Sequence, residues 1–254
     1  MSGVSFGSVS EEDCWVGGNR IRPRASLSGA NLSGADLAEA SLSVSDLSEA
    51  NLCGSDLWKA DLWGANLARS KLSGANLSGA SLHNAVLVNA KIRGARLVAA
   101  KLCRADLFEA ILSGSNLSEA DLTKAQLVRA DLTRANLSGA DLSGADLSGA
   151  NLRGAKLFSA TLRRSTLRKA VLANALLRRA DLRLADLSDA HFYGAILHRA
   201  DLSGANLSGT DLRWADLTGT GLVSVKANRD TKWPARFEPL DFRKATSELA
   251  ADRR

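Results

Sequence analysis

The sequence predicts an all-β solenoid, one long backbone coil stacked on itself, and three observations predict it. A five-residue phrase repeats forty times between Ala25 and Ser224 with no insertion or deletion. Its third position, at 27, 32, 37 and so on to 222, is Leu at every step except Ile92 and Phe192. Its first position is Ala, Ser or Thr throughout. Period five fits neither common template. On an α-helix each step rotates the Leu by about 140°, which smears the Leu round every side. In a flat strand odd spacing throws successive Leu to opposite sides. The backbone must therefore turn once per phrase, so that every Leu points inward and each coil stacks on the last. The other positions agree. Gly closes many phrases, where a turn needs positive φ, and Asp, Asn and Ser bond nearby backbone in turns.

The phrase is clean at Ala30-Asn-Leu-Ser-Gly34 and at Ala140-Asp-Leu-Ser-Gly144. Tandem A-[DN]-L-x-x resembles the pentapeptide-repeat family over about four fifths of the chain. The resemblance implies a right-handed quadrilateral β-helix with four phrases per coil. Residues 25–224 then form about ten coils, capped at both ends by residues 1–24 and 225–254. At about 4.8 Å per stacked strand such a rod is ~48 Å long. Its narrow core is filled by Leu, and each buried Leu contributes about 1.5–3 kcal/mol before chain entropy is subtracted. A Leu→Arg change inside is expected to damage a coil and its neighbours.

Solenoid ends expose a raw core and unpaired strand edges. At the start, Trp15, Val16 and Ile21 are candidates to cover the first coil, Pro23 closes the lead-in, and Ser10 to Asp13 reads as the opening of a short helix, with a tethered, partly disordered tail as the alternative for the first ten residues. At the far end the phase fails after Ser224. The segment Thr231-Lys-Trp-Pro-Ala-Arg-Phe-Glu-Pro239 resembles the Trp-Pro-x-x-Phe tail that follows the last coil in many bacterial, notably cyanobacterial, members. That resemblance implies that Trp233 and Phe237 plug the open core. Residues 242–254 read as a short amphipathic helix, and the C-terminal end is a candidate homodimer contact, as in some family members.

Charge is banded along the chain, which the net charge of +6 conceals. Coils one to three are acidic on balance and carry Trp58 and Trp63 at the fourth, outward position of consecutive phrases. Exposed paired Trp is a hot-spot signature for a protein partner; wall packing is the plainer reading. Coil four replaces the usual Asp or Asn at position two by Val86, Lys91, Arg96 and Lys101, and with Arg93 and Arg104 it holds five cations and no acid. From 151 to 184 nine cations face Asp181 alone: Arg153, Lys156, Arg163, Arg164, Arg168, Lys169, Arg178, Arg179 and Arg183. That band reads either as a polyanion site or as a solvated surface whose Arg pair with Asp of neighbouring coils. By register Arg163 and Arg183 stack on the fourth face, between Asp141 and Asp201.

Catalytic chemistry is missing from the pattern. His83, His191 and His198 fall on three different faces and form no metal set, no Gly-rich phosphate loop opens a helix, and no His/Asp partner accompanies the recurring Ser. No enzyme activity and no cofactor is expected. No apolar run reaches the roughly 20 residues of a membrane span. The first fifteen residues do not read as a signal peptide, and Cys53 and Cys103 are placed on different faces as free thiols, which fits a cytoplasmic setting. The favoured function is a non-enzymatic binding or scaffold protein with a protein partner. Nucleic-acid or other polyanion binding through 151–184 is the alternative. The best-understood family branch protects DNA gyrase by DNA mimicry, with an acidic rod of B-DNA width. The net positive charge, the basic bands and the lack of projecting loops disfavour such action on gyrase or topoisomerase.

Overall fold

The computed structural model describes residues 14–235 and 237, and the helices expected near Ser10 and over 242–254 lie outside them. The chain is a right-handed quadrilateral β-helix. Position two of each phrase bridges in parallel to the residue twenty further on, from Ser26 with Asp46 to Asn206 with Lys226. Four phrases therefore make one coil. The first face holds residues 25–29 and each phrase twenty residues on; the second, third and fourth faces start at residues 30, 35 and 40.

One phrase shows why this sequence takes this path. Around Asp46, the N–H of Asp46 donates to Ala25 O in the coil below at 2.9 Å, and Leu47 N donates to Asn66 O in the coil above at 2.7 Å. Glu49 N donates upward to Ala68 O at 2.9 Å, and Ala50 N closes the turn onto Leu47 O at 3.1 Å. The remaining N–H, of Ser48, donates to the Asp46 carboxylate at 3.0 Å. All five N–H groups are thus satisfied, as a narrow buried-wall backbone requires, and the last explains why Asp or Asn recurs at position two. Asn at that position adds a rung: Asn66 Nδ2 donates to Asp46 Oδ1 of the coil below at 3.1 Å, and Asn76 to Asp56 at 2.9 Å.

The turn is of type II, with positive φ at its third residue, which is position five of the phrase. That position has positive φ at every phrase from Gly29 to Ser224. Gly fills it in fewer than half; Val44 (φ 56), Ala99 (φ 54), Leu184 (φ 59) and Trp214 (φ 62) are among the others. Many of these side chains lean toward the next coil. Leu184 lies over Gly204, where an added Cβ would fall 2.7 Å from Leu184 Cδ2.

From Leu27 to Leu217 every third-position side chain is at most 7% exposed, and Phe192 occupies its Leu slot fully buried. First-position Ala lines the wall between them. Where that position is Ser, the hydroxyl of Ser45, Ser55, Ser115 or Ser165 donates to the Leu carbonyl three residues back. Ser70 is the exception, buried with no partner for its hydroxyl.

The first coil is covered by a hairpin, β1 (Cys14–Val16) and β2 (Asn19–Ile21), paired antiparallel. Gly17 and Gly18 both have positive φ (57 and 77), the type I′ geometry that suits a two-residue hairpin. Ile21 and Val16 meet the core. Trp15 does not: it is 61% exposed, a correction to the expected cap. Strand alternation is the reason, since Trp15 pairs with Arg20 on the side opposite to Ile21.

At the far end pairing continues past Ser224. Lys226 bridges Asn206, and Lys232 bridges Asp211 at a spacing of twenty-one, one residue longer than the repeat. The extra residue sits in a loop closed by Thr231 N to Asn228 O at 3.1 Å and Asn228 N to Thr231 Oγ1 at 3.1 Å. Trp233 and Phe237 stack with ring centroids 5.5 Å apart and pack against the core.

Candidate functional site

Functional side chains here sit at positions two, four and five, because one and three are committed to the core. Trp58 and Trp63 are both position-four residues of the second coil, 40% and 49% exposed. Their backbone N–H groups are held by Asp56 and Asp61 at 3.0 and 3.1 Å, so the rings project from rigid turns. Trp58 stands on the third face and Trp63 on the fourth, across one corner. The Lys59 ammonium lies 4.3 Å from the Trp58 ring centroid, a cation–π contact. Trp63 borders a shallow depression of about 370 Å³ with His83, Asn84, Cys103, Arg104, Thr123 and Lys124.

The cations of 151–184 are not brought together on one surface. Arg153 is on the second face, Lys156, Arg178 and Arg179 on the third, Arg163, Arg164 and Arg183 on the fourth, Arg168 and Lys169 on the first. Three of the nine pair with Asp of neighbouring coils. Asp181 is the centre of that pairing: Arg183 Nη2 reaches its carboxylate at 2.5 Å and Arg163 Nε at 3.8 Å, while Arg183 also meets Asp201 at 3.6 Å. Arg168 meets Asp186 at 4.0 Å. The Arg183 hydrogen bond, aided by its backbone N–H and by the charge of Arg163, holds the Asp181 carboxyl below the ordinary value of 3.8 against the opposing effect of burial. On the fourth face Lys124, Arg163 and Arg164 line a second depression of about 400 Å³ with Ser143 and Gly144.

Sequence reading by bands missed a sorting by faces. The second face carries Lys71, Lys91, Arg93, Arg134, Arg153 and Arg213, all exposed, against only Asp131 and Asp211. Both carboxylates are engaged. Asp131 accepts from the N–H and hydroxyl of Thr133, and Asp211 is gripped by Arg213 at 2.7 and 2.9 Å, which depresses its carboxyl. The same face carries Tyr193 (47% exposed) and, at its corner, Trp214, the most exposed large apolar side chain described at 74%. Counting in steps of twenty rather than along the chain is the signal that finds this row.

Among the described residues no set of three His, Cys, Asp or Glu side chains converges as a metal site. Cys53 and Cys103 are free thiols. Among the described residues no helix is long and apolar enough to cross a membrane.

A four-sided β-helical repeat rod with a Leu core and a turn at each phrase defines a class of repeat protein. The family description "Pentapeptide repeats (8 copies)" matches this chain in overlapping stretches from residue 24 to residue 222. The chain belongs to the pentapeptide-repeat family. Among solved structures it is similar to HetL of the cyanobacterium Nostoc sp. strain PCC 7120, a pentapeptide repeat protein involved in heterocyst differentiation regulation. Identity is 36% over 84% of this chain and 92% of HetL, with a TM-score of 0.45. Rfr23 from the cyanobacterium Cyanothece 51142 is 35% identical over 41% of this chain and 63% of that one, with a TM-score of 0.33. QnrB1, a plasmid-mediated fluoroquinolone resistance protein, is 16% identical over 76% and 96%, with a TM-score of 0.39. Comparison with curated proteins finds no match.

Proposed function

We propose that the chain is a non-enzymatic binding or scaffold protein of the cytoplasm, a rigid rod that presents outward Trp and charged side chains to a protein partner. The observation that carries this is the Trp58–Trp63 corner. Two large rings keep 40% and 49% of their surface in solvent on turns whose backbone N–H is already bonded, so apolar area is left for a partner to cover. Such rings become hot spots when a partner desolvates them. The test uses the full chain as bait in nuclease-treated lysate, beside Trp58→Ala/Trp63→Ala. Retention of a protein by the wild type and its loss in the double variant is expected, since truncating a hot spot costs about 2 kcal/mol or more. Equal capture by both baits refutes the reading.

A second reading, polyanion binding through 151–184, is favoured by one observation. Arg153, Lys156, Arg164, Lys169, Arg178 and Arg179 make no ion pair among the described residues. Changing Arg163, Arg164, Arg178 and Arg179 to Glu should then abolish capture of nucleic acid; if capture survives, the band is solvated surface.

A further inference from the structure

We propose that the second face of the rod binds single-stranded nucleic acid, its phosphates on the row of cations and its bases on Tyr193 and Trp214. The inference goes beyond the Trp58–Trp63 reading and does not use those residues, so either can fail alone.

The charge argument comes first. Lys71 and Lys91 are bridged partners in successive coils, and Arg93 is two residues on. Like charges on adjacent rungs repel, yet neither these three nor Arg134 and Arg153 meet a carboxylate among the described residues. These five unneutralised cations, in coils three, four, six and seven with coils about 4.8 Å apart, are complementary to a linear polyanion laid along the axis. The neighbouring first face cannot compete: Asp46, Glu49, Asp106, Glu109, Asp146 and Asp186 outweigh its cations.

Local geometry adds a depression lined by donors. Arg134 N donates to Arg153 O at 2.9 Å, which places the two Arg one coil apart. The stem of Arg134 lies over Gly154, whose added Cβ would fall 3.6 Å from Arg134 Cγ. Both Arg border a depression of about 460 Å³ with Ser113, Gly114, Thr133 and Asn174, so guanidinium, hydroxyl and amide donors surround one space. Arg suits the forked geometry of phosphate oxygens.

The aromatic residues decide between ligand classes. Tyr193 stands on the same face as the cations and Trp214 at its corner, with Arg213 beside Trp214. Charged grooves with aromatic platforms in line describe single-strand binders, in which bases stack on the rings. Reading a duplex requires an element that enters a groove, and the described face is flat, without helix or projecting ribbon. From Lys71 to Trp214 the row spans seven coil steps, about 34 Å.

The test is fluorescence anisotropy with a labelled oligothymidylate and the full chain. Five phosphate contacts predict a slope of log affinity on log salt near −3.5, hence a roughly 100-fold loss between about 50 and 200 mM salt. Lys91→Gln/Arg93→Gln/Arg153→Gln should weaken binding and cut the slope by about 2. Trp214→Ala should weaken it by about tenfold with the slope unchanged. The control Lys101→Gln/Lys124→Gln on the opposite, fourth face should leave both within about twofold. All these side chains are exposed, and unchanged melting by circular dichroism checks the fold. No binding at the lower salt, or indifference to the second-face changes, overturns the proposal. So does equal competition by polyglutamate, which would make the partner an acidic protein, or tighter binding of a duplex.

Discussion

Exchanging Ala and Gly at position five should act with the reverse of the usual sign. Gly→Ala at an ordinary surface site stabilises a protein by about 0.4–1 kcal/mol, because the unfolded chain loses freedom. Position five is left-handed at every phrase, and an L side chain there costs about 1–2 kcal/mol. Gly avoids that cost but loses about 0.5–1 kcal/mol more than Ala in backbone entropy. The difference favours Gly by about 0.5–1 kcal/mol. Two sites isolate it. Gly114 has φ +68, and a Cβ built on it meets nothing within 4 Å. Ala99 has φ 54 and is exposed. Gly114→Ala should therefore destabilise and Ala99→Gly stabilise, each by about 0.5–1 kcal/mol, or about 1–4 °C in melting temperature for a domain of this size. Ser159 lies three coils above Ala99 on the same face with φ 53. At ~14 Å apart, Ala99→Gly and Ser159→Gly should add. Equilibrium urea unfolding followed by circular dichroism reads the result as a shift of midpoint at constant slope. A lower midpoint for Ala99→Gly, or a higher one for Gly114→Ala, would show that the left-handed turn is not the controlling feature.

Two further outcomes are expected. Ser70→Ala should raise the urea midpoint, because a buried hydroxyl without a partner costs about 1–3 kcal/mol, whereas Ser115→Ala should lower it by removing a bond to Leu112 O; equal shifts would refute the assignment. Asp181 has a folded pKa below its ordinary 3.8, so its stabilisation is complete above that value and is lost as pH falls through the folded pKa. Between about pH 5 and pH 2 the melting temperature of Asp181→Asn should start lower than wild type and fall less. Asp46, Asp211 and Asp216 shift in the same direction and should leave a residual slope.

The inside of this rod was legible in the sequence and its outside only in part. Leu at nearly every fifth residue demands a backbone that turns once per phrase, the family resemblance added the four sides, and the core follows that path from Leu27 to Leu217. The Trp-Pro-x-x-Phe segment likewise pointed to the stacked pair at Trp233 and Phe237. Trp15 was misplaced because size suggested a plug, while alternation in a three-residue strand turned it outward. The left-handed turns at Val44 and Trp214 were hidden because Gly is the usual marker and these phrases lack it. Asp181 looked like a lone acid in a basic band, yet its position-two slot places it between Arg163 and Arg183. The row on the second face was invisible for a simpler reason: its members are seldom neighbours in sequence and share only a remainder between 10 and 14 on division by twenty.

The twenty-residue bridge makes the interior and the surface answer to different clocks. Loss or gain of one phrase leaves every Leu inside and every turn intact, since one phrase is like the next. It also swings all that follows by a quarter turn. Removing residues 105–109 would carry Arg134 and Arg153 off the side that holds Lys71, Lys91 and Arg93 and onto the first face. Loss of a whole coil, residues 105–124, would shorten the rod and disturb neither. Folding demands the five-residue phase that this chain keeps without a slip for two hundred residues, but is indifferent to the twenty-residue phase that decides which side chains share a face. Whatever holds that phase is read from the outside.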